Sequence, residues 1–196
     1  MPSASLRDQT SGLRHNSPPV KVSPIRAARL ELIPFDPRAI RALMDGGRIY
    51  AEVVLGAVLP AEFPSSEELD GFLAVQLQRM ESAPKRRAWM ARLMRSPSGE
   101  AVGHCGFHGP PELIGRAEIG YTVFEKFRRQ GYAKEAAAAL VRWAFRRGER
   151  EVYATVSPTN APSLAVVRSL GFKQVGTQED EVDGLELVFA VERPSR

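Results

Sequence analysis

Arg128-Arg129-Gln130-Gly131-Tyr132-Ala133 is the stretch whose reading decides the fold. It lies between a strand-like run, Ala117 to Phe124, and a strongly helical run, Ala133 to Arg147. A strand that ends in a basic, Gly-containing turn and opens a helix makes an anion cradle. The first N–H groups of a helix have no partner within it, and the helix dipole adds partial positive charge there. Gly131 lets the backbone approach a phosphate, and Ala133 keeps the helix start uncrowded. The stretch therefore predicts a phosphorylated ligand and its position.

Downstream, Glu151 to Val156 reads as a strand. Asn160 to Leu170 reads as a helix stopped by Gly171. Phe172–Gly176 and Leu185–Val191 are two further strands joined by an acidic turn, Glu179 to Asp183, which is either a solvated hairpin or an attractor of a cationic amine. Upstream, Ala117–Phe124 follows a hairpin made of Trp89–Met94 and Ala101–His108, turned by Ser96-Pro97-Ser98-Gly99. Ser65-Ser66-Glu67-Glu68 starts a helix that runs to about Ser82. Two shorter helices lie near Pro37–Met44 and Ile49–Leu55. A first strand covers Ala28–Pro34, and Gly109–Gly115 is a loop. Mixed runs of strands and helices predict an α+β fold, one central mixed, twisted sheet flanked by helices.

The chain has 196 residues, 43% of them hydrophobic, enough for one domain with a proper core. Residues 1–27 are rich in Ser, Pro and Arg without periodicity and read as a flexible tail, leaving 28–196 as the domain. Four basic residues (Arg7, Arg14, Lys21, Arg26) against Asp8 place most of the net charge of +4 in that tail. No basic face is implied for the domain, so nucleic acid is not an expected partner. Apolar runs are too short to span a bilayer, and the N-terminus lacks the apolar core of a signal peptide. A single cysteine, Cys105, fits a cytoplasmic protein.

Three features together resemble the GNAT N-acetyltransferases, in the branch that includes the ribosomal-protein alanine acetyltransferases. The family's loop pattern, Gln/Arg-x-x-Gly-x-Gly/Ala, is matched by Arg128, Gly131 and Ala133. Its strand followed by Asn and a helix ending in Gly-Phe is matched by Asn160-Ala161-Pro162-Ser163 and Leu170-Gly171-Phe172. The strand Glu118-Ile119-Gly120-Tyr121-Thr122-Val123 also matches. The resemblance covers about residues 28 to 192.

This resemblance implies that the phosphorylated ligand is acetyl-CoA, used as co-substrate. It places the pyrophosphate on Arg128, Arg129, Gln130, Gly131, Tyr132 and Ala133, and the pantetheine along Tyr121 and Val123 as an added strand. It also brings Asn160 to the pantetheine arm. The strands Ala117–Phe124 and Glu151–Val156 are expected to splay in a V that admits the ligand. The implied reaction is acetyl transfer to a primary amine, of a small molecule or a peptide N-terminus, by direct attack in a ternary complex. Monomer and homodimer are both open. A non-catalytic acyl-CoA sensor is the alternative.

Amine acetylation needs a neutral amine, a polarised carbonyl and a proton for the leaving thiolate. Glu118 is the candidate base; its other reading is a structural carboxylate paired with an arginine. Ser163 is the candidate proton donor to the thiolate, or else a first-turn serine satisfying a local N–H. Many members of the family carry a Tyr acid seven residues after the Asn. Here that position is Val167, which leaves the role to Ser163 or water. Asn160 suits a helix cap as well as a ligand contact. Arg128 and Arg129 are phosphate ligands or solvated charges. His104 and His108 share a strand face with Cys105 turned away, so no metal is expected, and a place for one histidine in the lining of the acceptor pocket stays open. Trp89, Phe107 and Trp143 read as packing residues.

Overall fold

A computed structural model describes residues 22–180 and 184–195. The chain forms β1 (Ile25–Arg26), β2 (Glu31–Pro34), α1 (Pro37–Met44), α2 (Arg48–Leu55) and α3 (Ser66–Glu68). A π-helical turn, Leu69–Leu73, leads from α3 into α4 (Ala74–Ser82). After a 3-10 turn, Pro84–Trp89, come β3 (Arg92–Arg95), β4 (Ala101–Phe107), α5 (Pro111–Ile114) and β5 (Ile119–Val123). A second 3-10 turn, Glu125–Phe127, precedes α6 (Tyr132–Arg146), β6 (Glu151–Val156), α7 (Ala161–Ser169), β7 (Lys173–Asp180) and β8 (Gly184–Glu192).

The α+β class is as expected, but the central sheet is divided. One sheet has the order β1-β2-β3-β4-β5 and the other β6-β8-β7, and every strand pair within them is antiparallel. Between them the parallel contact is a single bridge, Glu118 to Tyr153, with the Tyr153 N–H on the Ala117 carbonyl at 2.8 Å. Beyond that bridge β5 and β6 diverge, and the first turn of α7 reaches the opening: the Tyr121 hydroxyl meets the Ser163 carbonyl at 3.4 Å.

Helix α6 packs its Ala136, Ala137, Leu140 and Ala144 stripe into the core beneath β4, β5 and β6. This is the i, i+3, i+4 face that the sequence predicts. Its small alanines let the helix lie close under the strands, which fixes where its N-terminus emerges.

Several boundaries differ from expectation for local reasons. Ile25–Arg26, assigned to the tail, is a strand: Ile25 is buried and pairs with Leu32. Residues 1–21 lie outside the described region. Strand β2 starts at Glu31 rather than Ala28, because the Arg29 and Leu30 N–H groups turn aside to the Glu135 carboxylate. Trp89 is not in a strand. It closes the 3-10 turn, where its ring packs edge-on against Trp143 at 4.7 Å and Phe107 at 4.8 Å. The Gly109–Gly115 loop contains α5, started by Pro111 at its first position. Strands β7 and β8 are longer than expected. The acidic turn between them has Glu181, Val182 and Asp183 outside the described residues.

Candidate active site

The donor side begins at the loop. Gly131 occupies the N-cap of α6 with φ 79°, and Arg129 also takes a left-handed φ of 63°. No side chain caps this helix. The first N–H groups of α6 therefore lack side-chain partners at the positive end of the helix dipole, as an anion site requires. Arg128, Arg129, Gln130 and Gly131 are exposed and Tyr132 and Ala133 half-buried, so the predicted cradle is open to a ligand. The Arg128 Nε folds back onto the Val123 carbonyl at 3.2 Å. An unforeseen residue, Arg29, braces the loop from outside. Its Nη2 donates to the Gln130 carbonyl at 3.0 Å, its Nε to Glu135 at 2.8 Å, and its guanidinium lies 4.8 Å from the Tyr132 ring centroid.

Strand β5 carries the cradle's approach. The pairs Gly106–Gly120 and His104–Thr122 lie in register with β4. His108 N–H bonds the Glu118 carbonyl at 2.9 Å, and Phe124 N–H bonds the Val102 carbonyl at 3.0 Å. Antiparallel pairing alternates, so the backbone groups of Tyr121 and Val123 face the other edge, toward the diverging β6. That edge can accept an extended, amide-bearing chain. A cleft of about 230 Å³ opens beside Tyr121, lined by Gly120, Tyr121, Asn160 and Ser163 among others. Asn160 caps α7, its Oδ1 accepting the Ser163 N–H at 3.1 Å. This leaves the Asn160 amide nitrogen for a ligand. Burial raises the Tyr121 phenol, so it stays protonated.

Glu118 sits where the two sheets join, and its side chain is only 8% exposed. The Arg116 Nε donates to its Oε2 at 2.7 Å, and the Thr155 hydroxyl donates to its Oε1. Arg116 also reaches Gln178 at 2.9 Å, and Gln178 reaches Glu186 at 3.1 Å. The arginine-paired reading of Glu118 is thus the observed arrangement. Both of its oxygens are engaged, and it is not among the residues that line the cleft at Tyr121, although its partner Thr155 is. In front of it stands His108, with Nδ1 3.5 Å from Glu118 Oε1 and a half-exposed ring.

A second cleft, of about 440 Å³ and the candidate acceptor side, lies between the α3–α4 segment and the β4–β5 pair. A Ser65–Glu68 capping box starts this segment, with Ser65 N–H on Glu68 at 2.8 Å. The π turn then widens the helix by one residue and brings Gly71 and Phe72 to the cleft. Phe72 stacks on His104 at 4.2 Å. Burial pushes the His104 imidazole down to about 4, so it is neutral and serves as a wall. Arg79 lines the cleft and donates to the His108 carbonyl at 2.7 Å. No carboxylate lines this cleft among the described residues.

The sequence profile of the acetyltransferase (GNAT) domain family matches residues 29–173. The chain belongs to the GNAT acetyltransferase family. An uncharacterized N-acetyltransferase, p20, of Bacillus licheniformis is 35% identical over 82 residues, 41% of this chain and 46% of that protein. An aminoglycoside N(6')-acetyltransferase type 1 of Salmonella typhimurium is 40% identical over 55 residues, 28% of this chain and 38% of that protein. The chain thus matches less than half the length of these curated relatives. Among solved structures, an acetyltransferase from Agrobacterium tumefaciens aligns with TM-score 0.59 and 27% identity, over 88% of this chain and 96% of its own. The Salmonella typhimurium acetyltransferase that modifies the N-terminal serine of ribosomal protein L7/L12 aligns with TM-score 0.61 at 21% identity, over 88% and 100%. At that identity the likeness concerns the fold.

As a GNAT fold, the molecule gathers Tyr121, Asn160 and Ser163 around one cleft and sets the 128–133 loop at the end of the same strand. Val167, at the position of the family's Tyr, is buried in the core. His108, Arg116, Arg79 and Arg29 went unassigned from sequence. His108 alone left a signal, as a histidine ending the strand that faces the cleft. No metal-suited cluster of His, Cys, Asp and Glu occurs, and no helix is long and apolar enough to cross a membrane, among the described residues.

Proposed function

We propose that this GNAT protein is an acetyl-CoA-dependent N-acetyltransferase that moves an acetyl group to a primary amine, of a small molecule or a peptide N-terminus. The observation that carries the reading is the uncapped, Gly131-initiated start of α6 at the end of a strand whose outer edge is not paired with another strand. Phosphate oxygens fit the exposed N–H groups, and an amide-bearing arm fits the Tyr121–Val123 edge. Acetyl-CoA, when bound, supplies a thioester-activated acetyl group.

The protein's own groups divide the work. Arg128 to Ala133 bind the phosphates, with Arg29 fixing the loop. Tyr121, Val123 and Asn160 orient the arm along the cleft. Ser163 and the protonated Tyr121 hydroxyl lie in that cleft, where either can donate a proton to the leaving thiolate. Direct attack in a ternary complex is favoured over an acyl-cysteine route. Cys105 is buried beside the Arg92 guanidinium, and burial pushes its thiol up to about 12, so it is no nucleophile at neutral pH.

The acid-free, partly aromatic cleft suits an amine with an apolar body better than a polycation. Work in the cytoplasm, as monomer or homodimer, belongs to the same reading. The relatives' names as acetyltransferases favour an enzyme over an acyl-CoA sensor. The test is titration calorimetry with acetyl-CoA, followed by a primary-amine panel with detection of free CoA thiol. Micromolar binding and thiol release with at least one amine are expected; binding without release for every amine would overturn the transferase reading.

A further inference from the structure

We infer that His108 is the general base that takes the proton of the attacking amine, and that Glu118 and Arg116 are the residues that position it. The inference rests on the transferase reading and reassigns the base from the carboxylate to the imidazole in front of it. Three observations carry it.

The first is location. His108, Gly120 and Tyr121 line both the acceptor cleft and the donor cleft, while Glu118 lines neither. A base must touch the amine at the point where it meets the thioester carbonyl, which is the junction of the two clefts. The second is room. A Cβ on Gly120 would come within 2.8 Å of the His108 Nε2. The bare strand at Gly120 therefore seats the ring across β5, one residue from the donor edge at Tyr121. The third is orientation. Glu118 Oε1 stands 3.5 Å from Nδ1, where its charge favours the proton on Nδ1 and leaves Nε2 unprotonated over Gly120, which lines both clefts. Arg116 and Thr155 hold that carboxylate in turn. The backbone of His108 is tied at both ends, its N–H to Glu118 and its carbonyl to Arg79.

The step balances without any further reactant. The amine nitrogen bonds to the acetyl carbonyl carbon and gives one proton to His108 Nε2. The carbon–sulfur bond then breaks, the electron pair leaves with sulfur, and the thiolate takes up one proton from a cleft hydroxyl or water. His108 returns its proton, so the products are the amide and the free thiol. The charged and titratable groups facing His108 are Arg79 from α4, Arg116 and Glu118 at the start of β5, Tyr121 on β5 and Glu186 on β8.

The test compares the full-length protein with H108Q, H108A and E118Q. The acceptor is an amine turned over in the panel above. For H108Q, kcat should fall about a hundredfold or more, with acetyl-CoA affinity unchanged by calorimetry. One ionisation should vanish from the kcat–pH profile. Because the ring is half-exposed, added imidazole should restore part of the H108A rate, which a merely structural histidine would not allow. Nitrogen-15 NMR of the imidazole should show the Nδ1–H tautomer in the wild type and a mixture in E118Q. A rate and pH profile for H108Q within about twofold of wild type would overturn the inference. So would a loss of rate with no rescue and an unchanged pH profile, or an Nε2–H tautomer in the wild type. A wild-type protein that binds acetyl-CoA but acetylates no amine fails differently, because wild type and H108A then behave alike, and it removes the transferase reading along with the base.

Discussion

The donor cleft and the acceptor cleft meet at Gly120, yet they are built from different materials. The donor side is mostly backbone. In the proposed reading its cradle is the N–H groups from Arg129 to Ala133, and its rail is the edge of Tyr121 and Val123 that no other strand pairs. Gly131 in its left-handed conformation is the side-chain choice on which that geometry most depends. The acceptor side is mostly side chains brought from distant places: Phe72 and Arg79 from the α3–α4 segment, His104 from the middle of β4 and His108 from just after it. Backbone recognition is fixed by where strands and helices start. Side-chain recognition is fixed by how they pack. Ligand binding on one side can therefore be broken by a single residue, whereas binding on the other erodes gradually.

The largest effect should come from Gly131→Asp. The new side chain sits at φ 79°, where L-residues are strained, and sets a negative charge against the phosphates. Calorimetry should show acetyl-CoA binding weakened by more than about a hundredfold, roughly 3 kcal/mol. Equal affinity would mean the cradle is elsewhere, and the comparison would fail at its base.

Arg116→Ala tests the seam between the sheets. It leaves the Glu118 carboxylate buried without its cation, and breaking such a pair costs on the order of 3 kcal/mol. Arg116 is itself 28% exposed, so urea denaturation should show a loss somewhat below that. A loss under about 0.5 kcal/mol would show that the bridge, and not this ion pair, joins the two sheets.

His104 gives the acceptor wall a pH signature. The unfolded chain protonates this imidazole near the ordinary value of about 6.5, and the folded protein only near 4. Between those values the unfolded state binds more protons, so stability falls as pH falls. The slope from this group approaches about 1.4 kcal/mol per pH unit. His104→Gln should flatten that part of the urea-midpoint profile between pH 7 and 4, and an unchanged slope would remove His104 as its source.

Phe72→Ala should have the smallest effect, and it sharpens the comparison most. Loss of one cleft wall should raise KM for the amine about tenfold, worth ~1.4 kcal/mol, while the acetyl-CoA dissociation constant stays the same. If both change together, the two sides are coupled and the division drawn here is too simple.

The glycine turn and the helix starts were legible because their signals are local. Gly131 needs a left-handed backbone, Asn160 caps the very next turn, and Glu151–Val156 alternates as a strand and folds as one. The π turn at Leu69–Leu73 left no such trace, since the pattern from Leu69 to Met80 reads as an ordinary helix. Trp89 looked like a strand residue because its aromatic partners, Phe107 and Trp143, are remote in sequence. Ile25 was lost in a Ser- and Pro-rich stretch, and only pairing with Leu32 makes it core.

By itself, then, the sequence determined the α+β class, most of the longer strands and helices, and the glycine turn that opens α6, because turn chemistry and periodicity act over a few residues. Only the tertiary structure decided which groups meet at the junction. It set Arg116 and Thr155 on Glu118, and His108 in front of it, because those contacts span up to 37 residues in sequence and depend on how two sheets join at one bridge.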